Sequence, residues 1–96
     1  MITVGAIIAA AKGIETADLE GEAVLLDINT GLYYGLSSVG ARIMTMLKEP
    51  VRVSSIVETL LQEYDVDVHQ LRSDIIGFLL EMEDRKLIQT LNGEVA

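Results

Sequence analysis

Glu22-Ala23-Val24-Leu25-Leu26-Asp27-Ile28, then Asn29-Thr30-Gly31, then Leu32-Tyr33-Tyr34-Gly35-Leu36 is the stretch that decides the fold. Residues 22–28 are rich in branched apolar side chains, which predicts a strand. Asn and Gly tolerate positive φ, so 29–31 reads as a hairpin turn with Gly31 in the left-handed region. Residues 32–36 are then the returning strand. Upstream, Gly13 to Leu19 pairs on the other side of 22–28 through a Glu20-Gly21 turn. The result is a three-stranded antiparallel meander that leaves 32–36 at one edge.

Downstream the period changes. Ser37 or Ser38 supplies a hydroxyl to cap a helix. Val39, Ile43 and Leu47 recur on one helical face, and Pro50 ends that stretch. A second helix is expected from about Ser54 to Tyr64, with Ser55 and Glu58 as a capping box and Ile56, Val57, Leu60, Leu61 and Tyr64 as its apolar side. A third starts at Asp67, with Gln70 as a second capping-box partner, and runs to about Lys86. Val68, Leu71, Ile75, Phe78, Leu79 and Met82 form its core face, and Arg85 and Lys86 sit where positive charge suits the helix dipole. The fold class is therefore α+β. One domain is expected, with 1–12 as an N-terminal arm or strand, 13–90 as the folded body and 91–96 as a C-terminal tail.

Composition sets limits on function. Half of the 96 residues are hydrophobic, which excludes a disordered chain. The absence of Cys removes disulfides, thiolate metal sites and a Cys nucleophile. Seven basic against fifteen acidic residues give a net charge of −8. That balance cannot neutralise phosphates, so neither nucleic acid nor an anionic membrane surface is an expected partner. The apolar run 2–11 has no basic region before it and is too short to span a bilayer. Most of the acids, among them Asp18, Glu20, Glu22, Glu63, Asp65, Asp67 and Glu81, read as a solvated exterior.

Catalytic chemistry finds no footing. His69 is the single His, with no Cys or second His to share a metal, and Asp67 is explained as a helix cap. There is no phosphate loop, nucleophile elbow or dinucleotide fingerprint. No cofactor is expected.

Two features are left over once a core has been assigned. The third helix carries more apolar surface than one stripe requires: Ile76 and Leu80 lie roughly 100–145° from the centre of the core row, at about 100° per residue, with Leu87 on the same flank. That flank either packs on the sheet or the N-terminal arm, or walls a groove for a partner. The edge strand 32–36 has no Lys, no Pro and no inward charge to blunt it. It is either covered by a neighbouring element or used, by accepting another peptide as a further strand.

The ordered set Leu25-Leu26-Asp27, Thr30-Gly31, Tyr33-Tyr34-Gly35-Leu36, Val39-Gly40-Ala41-Arg42-Ile43, Ile56-Val57 to Leu60-Leu61, Glu63-Tyr64-Asp65-Val66-Asp67, Leu79 to Met82 and Leu87-Ile88 resembles the PqqD-like family of precursor-peptide recognition elements. The resemblance spans roughly residues 15–90. It implies a winged helix-turn-helix-like fold, with three antiparallel strands and then three helices. It further implies that the leader segment of a ribosomally made precursor peptide adds to the third strand and lies against the third helix. By position, it assigns peptide binding to Leu32, Tyr33 and Tyr34 on the strand and to Arg72, Ile76, Leu79, Leu80 and Glu83 on the helix. A chain of this length resembles the stand-alone lasso-peptide members, which imply a separate leader peptidase and a cyclase as partners, in the cytoplasm. Similar members serve pyrroloquinoline quinone or radical-enzyme peptide modification. Met44 stands where the family usually has an aromatic.

The expected function is thus non-catalytic recognition of a leader peptide, with a dissociation constant near micromolar or tighter, roughly −8 kcal/mol. An acyl carrier would match in size and acidity, but such proteins bear their arm on a Ser after Asp, and here Ser37-Ser38 follow Leu36. A homodimer through the exposed edge or the arm is a further expectation.

Overall fold

The structure is a computed structural model and describes residues 2–91. Its elements in order are β1 (Ile7–Ala10), β2 (Ile14–Leu19), β3 (Glu22–Asp27), β4 (Leu32–Gly35) and α1 (Ser38–Met46). β5 (Val51–Arg52), α2 (Val53–Glu63), α3 (Val68–Asp84) and β6 (Ile88–Thr90) follow. The expected meander is present as the antiparallel sheet β2-β3-β4, with three helices after it. Of the expected tail 91–96, all but Leu91 lies outside the described residues.

Local chemistry fixes the meander. Glu20 and Gly21 both take positive φ, 53° and 87°, the two-residue turn whose twist matches paired strands. The Asp18 carboxylate holds it by accepting from the Gly21 N–H at 2.9 Å. At the other hairpin Gly31 has φ 78° and its N–H donates to the Asp27 carbonyl at 2.8 Å. Asp27, a buried carboxylate, accepts from the Asn29 N–H at 2.9 Å. The Asn29 amide donates to the Lys12 carbonyl at 3.0 Å, which ties the turn to the preceding segment.

A second antiparallel sheet, β5-β1-β6, was not foreseen. Its middle strand comes from the N-terminal segment, where Ile2, Ala6, Ile8 and Ala9 are buried. β5 and β6 hold two and three residues, too few to show a period of two in the sequence.

Three helix ends differ in detail from expectation. α1 starts as foreseen, with the Ser37 hydroxyl accepting from the Gly40 N–H at 3.0 Å. α2 begins at Val53 and has no side-chain cap, so the Ser55–Glu58 box is not its start. Backbone from the N-terminal segment does the capping instead: Val53 N–H donates to Ala6 O at 3.0 Å and Ser54 N–H to Val4 O at 2.9 Å. For α3, Asp67 caps the Gln70 N–H at 2.9 Å, while the Gln70 amide turns away to Asp74 at 2.8 Å, so the box closes on one side only.

α3 stops at Asp84, short of Arg85 and Lys86. Lys86 takes φ 61°, its N–H reaches Glu83 O at 3.0 Å, and Leu87 N–H reaches Met82 O at 2.9 Å. This is a Schellman ending with Lys in the position usually held by Gly. Leu87 therefore leaves the helix flank on which it was placed and is fully buried.

One core serves both sheets and all three helices. Leu25, Ile43, Leu47, Ile56, Leu60, Ile75, Leu79 and Leu87 are wholly buried in it, with Val39 and Tyr34 packed at its margin. At its surface the Arg42 guanidinium grips the Glu63 carboxylate through contacts of 2.9, 3.1 and 3.2 Å, fastening α1 to the end of α2. That hydrogen bonding, with the charge of Glu63, holds the Arg42 pKa above its ordinary value.

Candidate functional site

β4 pairs with β3 on one side, and among the described residues no strand lies on the other. The Leu36 N–H donates to Ala23 O at 2.9 Å. Backbone groups alternate along an antiparallel strand, so Leu32, Tyr34 and Leu36 turn theirs towards β3. Tyr33 and Gly35 turn theirs to the open edge. Burial alternates from Tyr33 onward, while Leu32, at the start of the strand, is exposed although it shares a face with Tyr34. Tyr34 and Leu36 are half-buried against the core, whereas Leu32 and Tyr33 are 55% and 65% exposed.

α3 reaches this strand through one flank. The Arg85 guanidinium stands 5.5 Å from the centroid of the Tyr34 ring, a cation–π geometry, and pairs with Glu81 at 3.3 Å. Counting back from Arg85 at about 100° per residue places Glu81, Phe78 and Asp74 on that same flank. Phe78 and Asp74 line a cleft of about 310 Å³ with Ser37, Val39, Gly40, Ile43, Tyr64, Val66, Leu71 and Ile75. The cleft starts at Ser37, just beyond the end of β4. Bare strand edge, aromatic ring and apolar cleft thus follow one another along one side of the molecule.

Of the residues singled out from the sequence, Leu32, Tyr33 and Tyr34 gather at the edge. The helix residues do not join them there. Arg72 lines a hollow with Val4, Ser54, Val57, Glu58 and Leu61. The Glu83 carboxylate accepts from the Thr90 hydroxyl at 2.8 Å, next to β6. Ile76 is half-buried on that same flank, Leu80 is 41% exposed, and Leu79 has no exposed surface. Apolar spacing locates the core row of a helix, but flanks on either side of that row look alike in sequence. Arg85, which stands over Tyr34, its ion-pair partner Glu81, and the cleft residues Asp74 and Phe78 were therefore missed as site residues. Phe78 had been read as core, and it does sit at the core margin.

His69 is exposed, and no group of three or more His, Cys, Asp or Glu is placed to hold a metal among the described residues. No helix among them is long and apolar enough to cross a membrane.

In class, this is a small α+β domain with an unpaired strand edge beside the last turns of a helix. The chain belongs to the PqqD family: the model of Coenzyme PQQ synthesis protein D (PqqD) matches residues 22–88. No curated protein matches it. Among solved structures it is similar to TbiB1 in complex with the TbiA(beta) leader peptide, at 32% identity and a TM-score of 0.76, covering 88% of this chain and 98% of that one. It is also similar to a lasso peptide synthetase B1 complexed with the leader peptide, at 22% identity and a TM-score of 0.74, covering 85% and 96%. The second likeness is one of fold.

Proposed function

We propose that this chain is a non-catalytic recognition subunit that binds the leader segment of a ribosomally made precursor peptide of the lasso type. The observation that carries the reading is the open edge of β4, where Tyr33 and Gly35 present unpaired backbone groups on a strand without charge or proline. An extended leader adding there would take affinity from main-chain bonds and selectivity from the neighbouring side chains. Leu32, Tyr33 and Tyr34 are its strand contacts, and the Arg85–Phe78 flank of α3 is the adjacent wall. Arg72, Ile76, Leu80 and Glu83 contact peptide only if it continues around α3, and Leu79 supports the helix from the core. The 32% identical relative, itself a leader-peptide complex, supports the same reading.

In this role the chain hands its precursor to a separate leader peptidase and a cyclase in the cytoplasm. The edge would also allow two copies to pair strand to strand, in competition with the leader. The family's name favours a second reading, service in pyrroloquinoline quinone synthesis. The test is a fluorescence-anisotropy titration with the labelled leader of a precursor identified among the neighbouring reading frames, against a scrambled leader and the TbiA(beta) leader. Saturable binding of the true leader alone is expected. Equal binding of the scrambled peptide, or none of any, would sink the proposal.

A further inference from the structure

Gly40 lies inside α1 with an ordinary helical backbone, where Gly is a poorer choice than Ala. Its use is therefore spatial. A Cβ there would stand 3.1 Å from Cε1 and 3.4 Å from Cζ of Phe78, and 3.3 Å from the Ser37 Oγ. The Phe78 ring rests on bare helix backbone, and Phe78 and Gly40 both line the cleft.

The cleft has the character of a side-chain subsite. Val39, Ile43, Val66, Ile75 and Phe78 make its lining mainly apolar. Two of its polar members are engaged already: the Ser37 hydroxyl accepts from Gly40 N–H and the Asp74 carboxylate from the Gln70 amide. About 310 Å³ is at the small end of ligand pockets and leaves room for one large side chain. Its position fixes the occupant. A strand paired with Tyr33 and Gly35 that runs on past Gly35 arrives at Ser37, where the cleft opens.

We infer that Gly40 sets the size of this subsite by fixing how far the Phe78 ring stands into the cleft, and that the subsite takes one large apolar side chain of the peptide bound at β4. The inference rests on the strand-addition reading. A methyl group on Gly40, itself a lining residue, takes space from the cleft and makes the ring give by a few tenths of an ångström. Trimming Phe78 widens the cleft.

The experiment selects short random peptides by display against the full chain and its variants Gly40→Ala, Phe78→Leu and the two combined. The wild type should enrich peptides that share a large apolar residue at a fixed offset from the β4-pairing segment. Gly40→Ala should move that position to smaller residues and weaken the large-residue peptide roughly tenfold, the scale of a methylene in an apolar pocket. Phe78→Leu should shift the preference to larger residues, and the double variant should restore the original one. A role in helix packing alone moves the melting temperature and leaves the residue preference where it was, which overturns the inference. Should Gly40→Ala fail to fold, the Phe78→Leu selection decides by itself. Failure of the wild type to enrich any peptide, or enrichment that survives Gly35→Pro, strikes instead at the strand-addition reading.

Discussion

The meander has two edges built on the same central strand, and they are finished in opposite ways. β2 carries Glu15 and Asp18, and Glu20 follows in the turn. β4 carries Leu-Tyr-Tyr-Gly and no charge at all. The backbones are equivalent. Since Ala23, Leu25 and Asp27 face β4, the groups left free on β2 are those of Thr16 and Asp18, as those of Tyr33 and Gly35 are on β4. The difference lies wholly in side chains. A charge beside a free edge forces any added strand to bury or displace it, whereas bare apolar residues invite one. One edge is closed to partners and the other is left open, on a sheet whose strand pairing is otherwise alike.

The sharpest way to break that comparison is a pair of prolines. Gly35→Pro removes an N–H that points away from β3, so the domain should fold while leader affinity falls at least about tenfold, or ~1.4 kcal/mol. Thr16→Pro removes the equivalent group on β2 and should leave affinity within about twofold. Titration of both variants with the same leader reads the contrast, and equal losses would end it. Next in size is Tyr33→Lys, which gives β4 the protection β2 already has. Binding should weaken about fivefold, with thermal unfolding changed by less than about 0.5 kcal/mol because the side chain is exposed.

Smaller again is Arg85→Ala. It removes the cation above Tyr34, worth about 0.5–1 kcal/mol at an exposed site, and calorimetry should find the melting temperature lower by a few degrees. The smallest effect is the converse change on the closed edge. Glu15→Val should leave stability within about 0.5 kcal/mol, and sedimentation velocity should detect self-association beyond that of the parent chain.

Much of this was legible in the sequence because its causes are local. Asn29-Thr30-Gly31 announces a turn through its own φ preferences, and Ser37 and Asp67 cap helices within three residues of themselves. The second sheet was not legible, because Ile8 meets Val51 and Thr90 far along the chain and neither partner strand is long enough to show a pattern. The start of α2 was misjudged for the same reason: its caps are carbonyls of Val4 and Ala6, which leave no mark on residue type. Arg42 stood in a motif block without a role and Glu63 was read as solvated exterior, and the ion pair between them gives both a purpose. For the candidate site, the open edge followed from pairing order, a local inference. The flank of α3 that faces it depends on how the helix is rolled about its axis, which only tertiary packing decides.

The pairing of Ile8 with Thr90 also governs the order in which the molecule can be completed. A ribosome releases β1 well before β6, so the middle strand of the second sheet must wait, unpaired on one side, until the third helix has emerged. The meander has no such delay, because its three strands follow one another through short turns and close early. During synthesis the bare edge of β4 is therefore finished before the sheet that ties β1 to β6. A nascent chain stalled before Ile88 would display a sticky strand on a domain that has not yet closed.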